Sequence, residues 1–124
     1  MNIALWALQI LLALHTLVGA LWKLSSSEEA VPSLAALPHA AWLGLAGLEV
    51  ICAAGLLLPA FGARFRAVAP VAALVIAGEM LLFCVVHLFS GVAEHGELVY
   101  WLVVAGLSGL VAFGRIRTLR SAAA

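Results

Sequence analysis

The hydrophobic positions of the chain fall into four long, nearly uninterrupted runs that are separated by short polar or charged segments. The runs cover roughly residues 3–24, 40–59, 67–90 and 98–114. A helix needs about 20 apolar residues to cross the hydrocarbon core of a bilayer, and each run is close to that length. Because a helix satisfies its own backbone hydrogen bonds in lipid, the pattern predicts four transmembrane helices. The runs do not alternate, and four strands cannot close a β-barrel.

The composition agrees with a membrane protein and not with a soluble domain. Hydrophobic residues make up 66% of the 124 residues and charged residues only 10%, whereas soluble domains average roughly 45–50% and about 25%. The formal net charge is zero, so no positive excess favours nucleic acid as a partner. The sequence predicts an all-α integral membrane protein with a single domain over residues 1–124. Short loops favour antiparallel neighbours, and hence a four-helix up-down bundle in the lipid bilayer.

The loops carry opposite charges on the two sides of the predicted bundle. One side holds five arginines and no acidic residue: Arg64, Arg66, Arg115, Arg117 and Arg120. The other side holds one lysine and four glutamates: Lys23, Glu28, Glu29, Glu94 and Glu97. Because positively charged loops stay in the cytoplasm, the sequence predicts a multi-pass protein of the inner (plasma) membrane with both termini cytoplasmic.

Three ionisable residues lie at mid-depth in the runs: His15, Glu49 and Glu79. Lys23 stands at the end of its run and no Lys or Arg lies further inside, so the two acids are predicted to lack a fixed cation. An unpaired carboxylate in hydrocarbon is costly, and we expect a central trio in which His15 meets both acids. Such residues are candidates for function, here as a proton relay or an acid–base pair. Helix-joining hydrogen bonds, worth about 0.6 kcal/mol on average, are the alternative.

His87 shares the third run with Glu79 but lies nearer the outer end. The two residues are eight positions apart, which on a helix is about 80° of rotation and about 12 Å of rise. We expect them to line different levels of one cavity rather than to touch. His87 is therefore the fourth candidate for proton transfer.

Aromatic residues gather at the outer end of the predicted bundle. Four lie there, against Trp6 at the inner end: Trp22, Trp42, Tyr100 and Trp101. Aromatic belts are usually found at both interfaces, so this asymmetry is compatible with the mouth of a pocket whose floor is the polar trio. Simple anchoring at the interface is the alternative.

The other reactive residue types give only weak patterns. Cys52 and Cys84 form no C-x-x-C pair and are expected to be small core residues. The histidines His39, His87 and His95 have no tight ligand spacing, and no metal site is predicted. The sequence contains no nucleophile elbow, P-loop or dinucleotide-binding motif.

Each run carries a short motif of its own that combines glycine with a charged or polar residue. The first run ends in Gly-x-x-x-Lys, "GALWK", with Gly19 and Lys23. The second contains "LEVICAAGLLLP", in which Glu49 opens an apolar half-run with a glycine. The third ends in "CVVHLFSG", with His87 and Gly91.

A fourth motif, "GELVYWLVVAGLSGL", begins with a Gly-Glu pair at Glu97. Together the four motifs resemble the DoxX-like family of small four-helix membrane proteins. The resemblance implies a link to membrane sulfur and quinone redox complexes, and it marks Glu49, His87 and Glu97 as family-like positions. Glu79 and His15 match no feature of the family.

Three functions remain open on the sequence. In the first, the protein binds an apolar ligand, a quinone or a lipid, in a bundle cavity and supports a membrane or peripheral redox partner. Glu49 and His87 would then bond to the ligand or relay protons to it. In the second, a buried glutamate and a histidine perform acid–base isomerisation or ring opening on an apolar substrate. In the third, the chain is a structural or assembly subunit, and its small-residue faces fit a homo-oligomer.

Overall fold

A computed structural model describes residues 2–26, 30–31, 34–35 and 37–123. These residues form four long helices and no strand: α1, Asn2–Ser25; α2, His39–Leu57; α3, Val68–Ser90; α4, Gly96–Ala123. Each helix is long and apolar enough to cross a membrane, which confirms the prediction of an all-α, four-helix membrane protein. Two short 3-10 turns join α2 to α3: Leu58–Phe61 and Ala63–Phe65. The predicted outer acids Glu28 and Glu29 lie outside the described residues.

The helices form an up-down bundle in which each one packs against the next along the chain. α4 also returns to α1, but this pair shares the fewest contacts of the four neighbouring pairs. The seam between α1 and α4 is therefore the loosest part of the bundle wall. α4 continues to Ala123, past position 114 where the fourth apolar run ends, because arginine and alanine favour a helix even where the sequence becomes polar.

The bundle core is formed by large side chains that contact one another between the helices. The largest hydrophobic side chains with almost no exposure come from three helices and the first loop: Leu34, Trp42, Leu56, Ile76, Phe83 and Val111. Other large apolar side chains point outward, and Ile3, Ile51 and Phe89 are among the most exposed. In a bilayer these outward side chains meet lipid tails, as expected of a membrane-spanning bundle.

The helix ends follow from specific residues. Gly91 ends α3 in the left-handed conformation, with φ of 78°, which glycine adopts without a steric penalty. α2 ends just before Pro59, which has no N–H to continue the helix. The carbonyl of Leu56, in the last turn of α2, instead accepts a hydrogen bond from the side-chain amide of Gln9 on α1. Gln9, on α1, therefore caps the C-terminal end of α2.

Only some of the glycines of α2 and α4 allow close helix packing within one chain. A Cβ at Gly55 would lie 3.2 Å from both Ala72 and Val68, so this glycine allows α2 and α3 to approach closely. A Cβ at Gly44 or Gly109 would meet nothing within 4 Å. The role of those two positions in a homo-oligomer stays a prediction.

Candidate functional site

A buried ion pair lies at the centre of the candidate site. Lys23 Nζ donates hydrogen bonds to both carboxylate oxygens of Glu49, at 2.6 and 3.0 Å, and the two side chains are only 9% and 3% exposed. The prediction that the acids have no fixed cation is therefore wrong. Helical side chains lean toward the N-terminus of their helix, which for Lys23, near the C-terminal end of α1, means toward the bundle interior. Lys23 does not turn outward to the interface as lysines near helix ends often do.

Aromatic rings surround the Lys23 ammonium group. It lies 5.5 Å from the ring centre of Trp42 and 5.3 Å from that of Phe83, within the range of cation–π attraction. The Trp42 indole N–H donates to the backbone carbonyls of Lys23 and Ser26, at 2.8 and 2.9 Å. These carbonyls lie in the last turn of α1 and at the residue just after it, where helical partners are lacking. Trp42 therefore fixes the start of α2 to the end of α1 and positions the ammonium group.

Gly19 gives Glu49 room to reach Lys23. A Cβ built on Gly19 would lie 4.0 Å from Oε2 of Glu49, so the carboxylate rests against the α1 backbone one turn below Lys23. A long side chain at this position would occupy the space of the carboxylate. The Gly-x-x-x-Lys spacing thus has a physical reason: the glycine admits the acid, and the lysine four residues later pairs with it.

Glu79 completes the cluster from α3. Its carboxyl group interacts electrostatically with that of Glu49, and neither of its two buried oxygens has a hydrogen-bond partner among the described residues. Two ionised carboxylates beside one ammonium group would leave a buried negative charge without a partner, which is costly, and a proton on one of the acids removes it. With that proton, the cluster of Lys23, Glu49 and Glu79 has no net charge. We call these three residues the charged cluster.

His15 lies outside the charged cluster, contrary to the predicted trio. Its ring is exposed and its Nε2 is hydrogen-bonded to the Tyr100 hydroxyl of α4, so it bridges the loose seam between α1 and α4. The position of His15 along the sequence did not give its direction around the helix. The inward face of α1 is instead marked by buried polar residues that recur every seven positions: Gln9, Thr16 and Lys23. That repeat is the sequence signal that identifies Lys23 as inward-facing.

His87 is buried at the interface between α3 and α4, away from the charged cluster. Its Nε2 lies 3.0 Å from Nδ1 of His95, and its ring centre lies 5.9 Å from that of Trp101. No group of three potential metal ligands is present among the described residues. We call the end of the bundle that carries Trp22, Trp42, Tyr100 and Trp101 the aromatic end. His87 contacts this end through Trp101, and its imidazole partner is the loop residue His95.

Two cavities lie one above the other at this end. The outer cavity measures about 200 Å³, and all four residues of the predicted pocket mouth line it, as do Lys23 and Glu97. Its aromatic lining consists of Trp22, Trp42, Phe83, Tyr100 and Trp101. The inner one, about 50 Å³, reaches the charged cluster and is lined in part by His15, Thr16, Lys23 and Glu49. Lys23 lines both cavities, together with Gly19, Phe83, Tyr100 and Trp101, so the ion pair lies where the two cavities meet.

A third cavity opens along the seam between α1 and α4. It measures about 250 Å³ and is apolar apart from two residues, His15 and Tyr100. Tyr100 also lines both cavities of the aromatic end. The seam cavity therefore adjoins the cavities of the aromatic end at Tyr100, beside the hydrogen bond between His15 and Tyr100.

The fold and the site define a class of protein: a small four-helix membrane protein with a buried ion pair beneath an aromatic-lined cavity. The sequence model of the DoxX-like family matches residues 7–113, and the chain belongs to that family. The matched range contains the charged cluster as well as His87 and Glu97. No curated protein and no solved structure matches the chain.

Proposed function

We propose that this DoxX-like protein binds an apolar ligand with a carbonyl-type acceptor group, of the quinone class, in the cavities of the aromatic end. The observation that supports it best is the position of Lys23. Its ammonium group is buried and held by Glu49, and Lys23 is one of the residues that line the outer cavity. An ammonium group has three N–H donors, and two of them bond to Glu49. The third is suited to a ligand oxygen.

The shape of the cavities supports a ligand with a ring and a tail. The outer cavity of about 200 Å³ has aromatic walls that suit a flat ring, and the seam cavity of about 250 Å³ suits an apolar chain. Small-molecule sites usually have about 300–1,000 Å³, and the two cavities reach that range only together. The ligand in this proposal enters from the membrane through the seam, and its ring passes Tyr100.

The same site assigns a role to each acid. Glu49 holds the Lys23 ammonium group in place, and a proton on Glu79 is available when the ligand oxygen gains negative charge. His87 lies behind Trp101 and positions that ring. In this proposal the protein resides in the inner membrane with both termini cytoplasmic and presents its ligand to a membrane or peripheral redox partner.

Tryptophan fluorescence tests the proposal directly, because three of the four tryptophans line the outer cavity. A Trp6→Phe background removes the fluorophore at the other end of the bundle. A short-chain quinone is then titrated into detergent-solubilised protein. We expect saturable quenching, weakened at least about tenfold when both members of the ion pair become glutamine (Lys23→Gln with Glu49→Gln). The control is Glu94→Gln, which changes a loop acid outside the cavities and is expected to bind as the background does.

Three outcomes would contradict ligand binding at this site. One is quenching that rises linearly with quinone and does not saturate. Another is equal affinity in the background and the double glutamine variant. The last is loss of affinity in the Glu94→Gln control, because diffuse electrostatics would then explain the data.

An acid–base enzyme is the second candidate, favoured by the two buried oxygens of Glu79, which have no hydrogen-bond partner among the described residues. In this case the ligand is chemically changed rather than only held. Lipid extracts incubated with wild-type protein and with Glu79→Gln distinguish the two. A product formed by the wild type and absent with Glu79→Gln supports the enzyme. Ligand returned unchanged by the wild type argues against it and leaves the binding proposal intact.

A further inference from the structure

The opposite end of the bundle contains a second cavity system with different chemistry. We call it the arginine end, after the five residues that it carries: Arg64, Arg66, Arg115, Arg117 and Arg120. A cavity of about 320 Å³ lies there, lined by Trp6, Pro59, Arg66, Arg115, Thr118 and Leu119. None of these lining residues is acidic. We propose that this cavity binds a phosphate group, with the headgroup of an anionic membrane phospholipid as its main source.

Two neutral side chains contact the Arg115 guanidinium group and help to position it. Its Nε donates a hydrogen bond to Oε1 of Gln9 at 2.7 Å, and it lies 5.1 Å from the ring centre of Trp6. Gln9 in turn donates to the carbonyl of Leu56, so the guanidinium group is connected to both α1 and α2. A guanidinium group carries five N–H donors and matches the oxygens of a phosphate in a two-pronged contact.

Arg66 provides the second charge from the turn between α2 and α3. Its side chain is exposed and lines the same cavity as Arg115, so the turn and α4 each place one guanidinium group at the same space. The Thr118 hydroxyl donates its hydrogen to the carbonyl of Gly114, within α4, at 2.9 Å. The binding energy is therefore assigned to the two arginines.

A neighbouring groove favours a lipid over a free anion. It measures about 300 Å³, adjoins the first cavity at Thr118 and is lined by Leu5, Phe113, Gly114, Arg117, Thr118 and Ser121. Leu5 and Phe113 give it an apolar wall along the seam of α1 and α4, which suits an acyl chain. Basic pockets between membrane helices are known to hold anionic headgroups. The combination of a cationic pocket with an apolar groove is what a phospholipid requires.

Lipid binding to the purified protein tests this site. Native mass spectrometry is performed after addition of phosphatidylglycerol or phosphatidylcholine, and a separate arm uses inorganic phosphate alone. We expect saturable binding of phosphatidylglycerol well above that of phosphatidylcholine. Arg66→Gln is expected to weaken it by about fivefold, the usual effect of one arginine near an anionic lipid.

Arg64→Gln is the matched control. It removes the same charge two positions away, from a side chain that lies 4.7 Å over the Phe65 ring and does not line the cavity. We expect it to leave phosphatidylglycerol binding unchanged. Arg115→Lys is the second variant, which keeps the charge but loses the two-pronged contact, and it is expected to weaken binding while thermal stability stays close to that of the wild type.

Saturable binding of phosphatidylglycerol that depends on Arg66 identifies a lipid site. Binding of inorganic phosphate alone, with the same dependence, supports the phosphate chemistry and makes a soluble anion the source. Equal effects of Arg64→Gln and Arg66→Gln would overturn the proposal, because they would reduce it to general surface charge. So would equal affinity for the two lipids together with no binding of phosphate.

Discussion

The two ends of the bundle handle positive charge in opposite ways. At the aromatic end, Lys23 is buried and neutralised inside the protein by Glu49. At the arginine end, five cations share the loop and tail with no Asp or Glu between residues 58 and 67 or between 114 and 124. A buried charge must be paired within the fold, whereas charges at the membrane surface can be neutralised by anionic lipid. The same residue class therefore forms an internal site at one end and an external contact at the other.

The largest expected effect comes from breaking the internal pair on one side only. Glu49→Gln leaves the Lys23 ammonium group buried without its carboxylate, which is expected to lower the free energy of unfolding by about 3–5 kcal/mol. Arg64→Gln at the other end is expected to change it by about 0–1 kcal/mol. Thermal unfolding in detergent measures both. If both variants unfold at the same temperature as the wild type, the buried ion pair does not contribute to stability as argued.

Trp42→Phe tests how the aromatic end positions Lys23. It keeps a ring beside the ammonium group but removes the N–H that bonds to the carbonyl of Lys23 in the last turn of α1 and to that of Ser26 just after it. Leaving buried acceptors without a donor costs about 1–3 kcal/mol. Trp6→Phe is the control at the arginine end, and we expect it to destabilise less. Equal losses in the two tryptophan variants would contradict the assigned role of Trp42.

Two substitutions of Gly19 test whether the Glu49 carboxylate packs against this position of α1. Gly19→Ala adds a Cβ at ordinary contact distance, 4.0 Å from Oε2 of Glu49, and is expected to be neutral or slightly stabilising. Gly19→Leu fills the carboxylate's space and is expected to cost about 1–3 kcal/mol. Quinone affinity should fall with Gly19→Leu and not with Gly19→Ala. A leucine variant with full stability and affinity would show that Glu49 does not rest against this position.

The smallest stability effect is expected at the seam. Tyr100→Phe removes the hydroxyl that bonds to His15, and helix-to-helix hydrogen bonds in membranes contribute about 0.6 kcal/mol on average. Melting should therefore change little, while ligand exchange through the seam should become faster. Stopped-flow quenching in the Trp6→Phe background measures the exchange rate. An unchanged rate would contradict entry past Tyr100.

The sequence predicts the four helices well because membrane thickness imposes a length on every span. It also places the aromatic residues and His87 at one end, since depth along a helix follows from position alone. The pairing of His15 with the acids was wrong because depth does not give the direction around the helix. The seven-residue repeat of Gln9, Thr16 and Lys23 carries that direction. The contact between Gln9 and Arg115 depends on how α1 meets α4, which no local pattern reports.

Native mass spectrometry of protein released directly from its own membrane tests the central claim, that the charged cluster is a ligand site and not only a helix contact. We predict a bound small molecule with the mass of a quinone-class lipid on the wild type and on Glu94→Gln. The double variant with Lys23→Gln and Glu49→Gln, which replaces the pair without leaving a lone charge, should be folded and lack it. A folded double variant that retains the same adduct, or a wild type with none, would contradict the account.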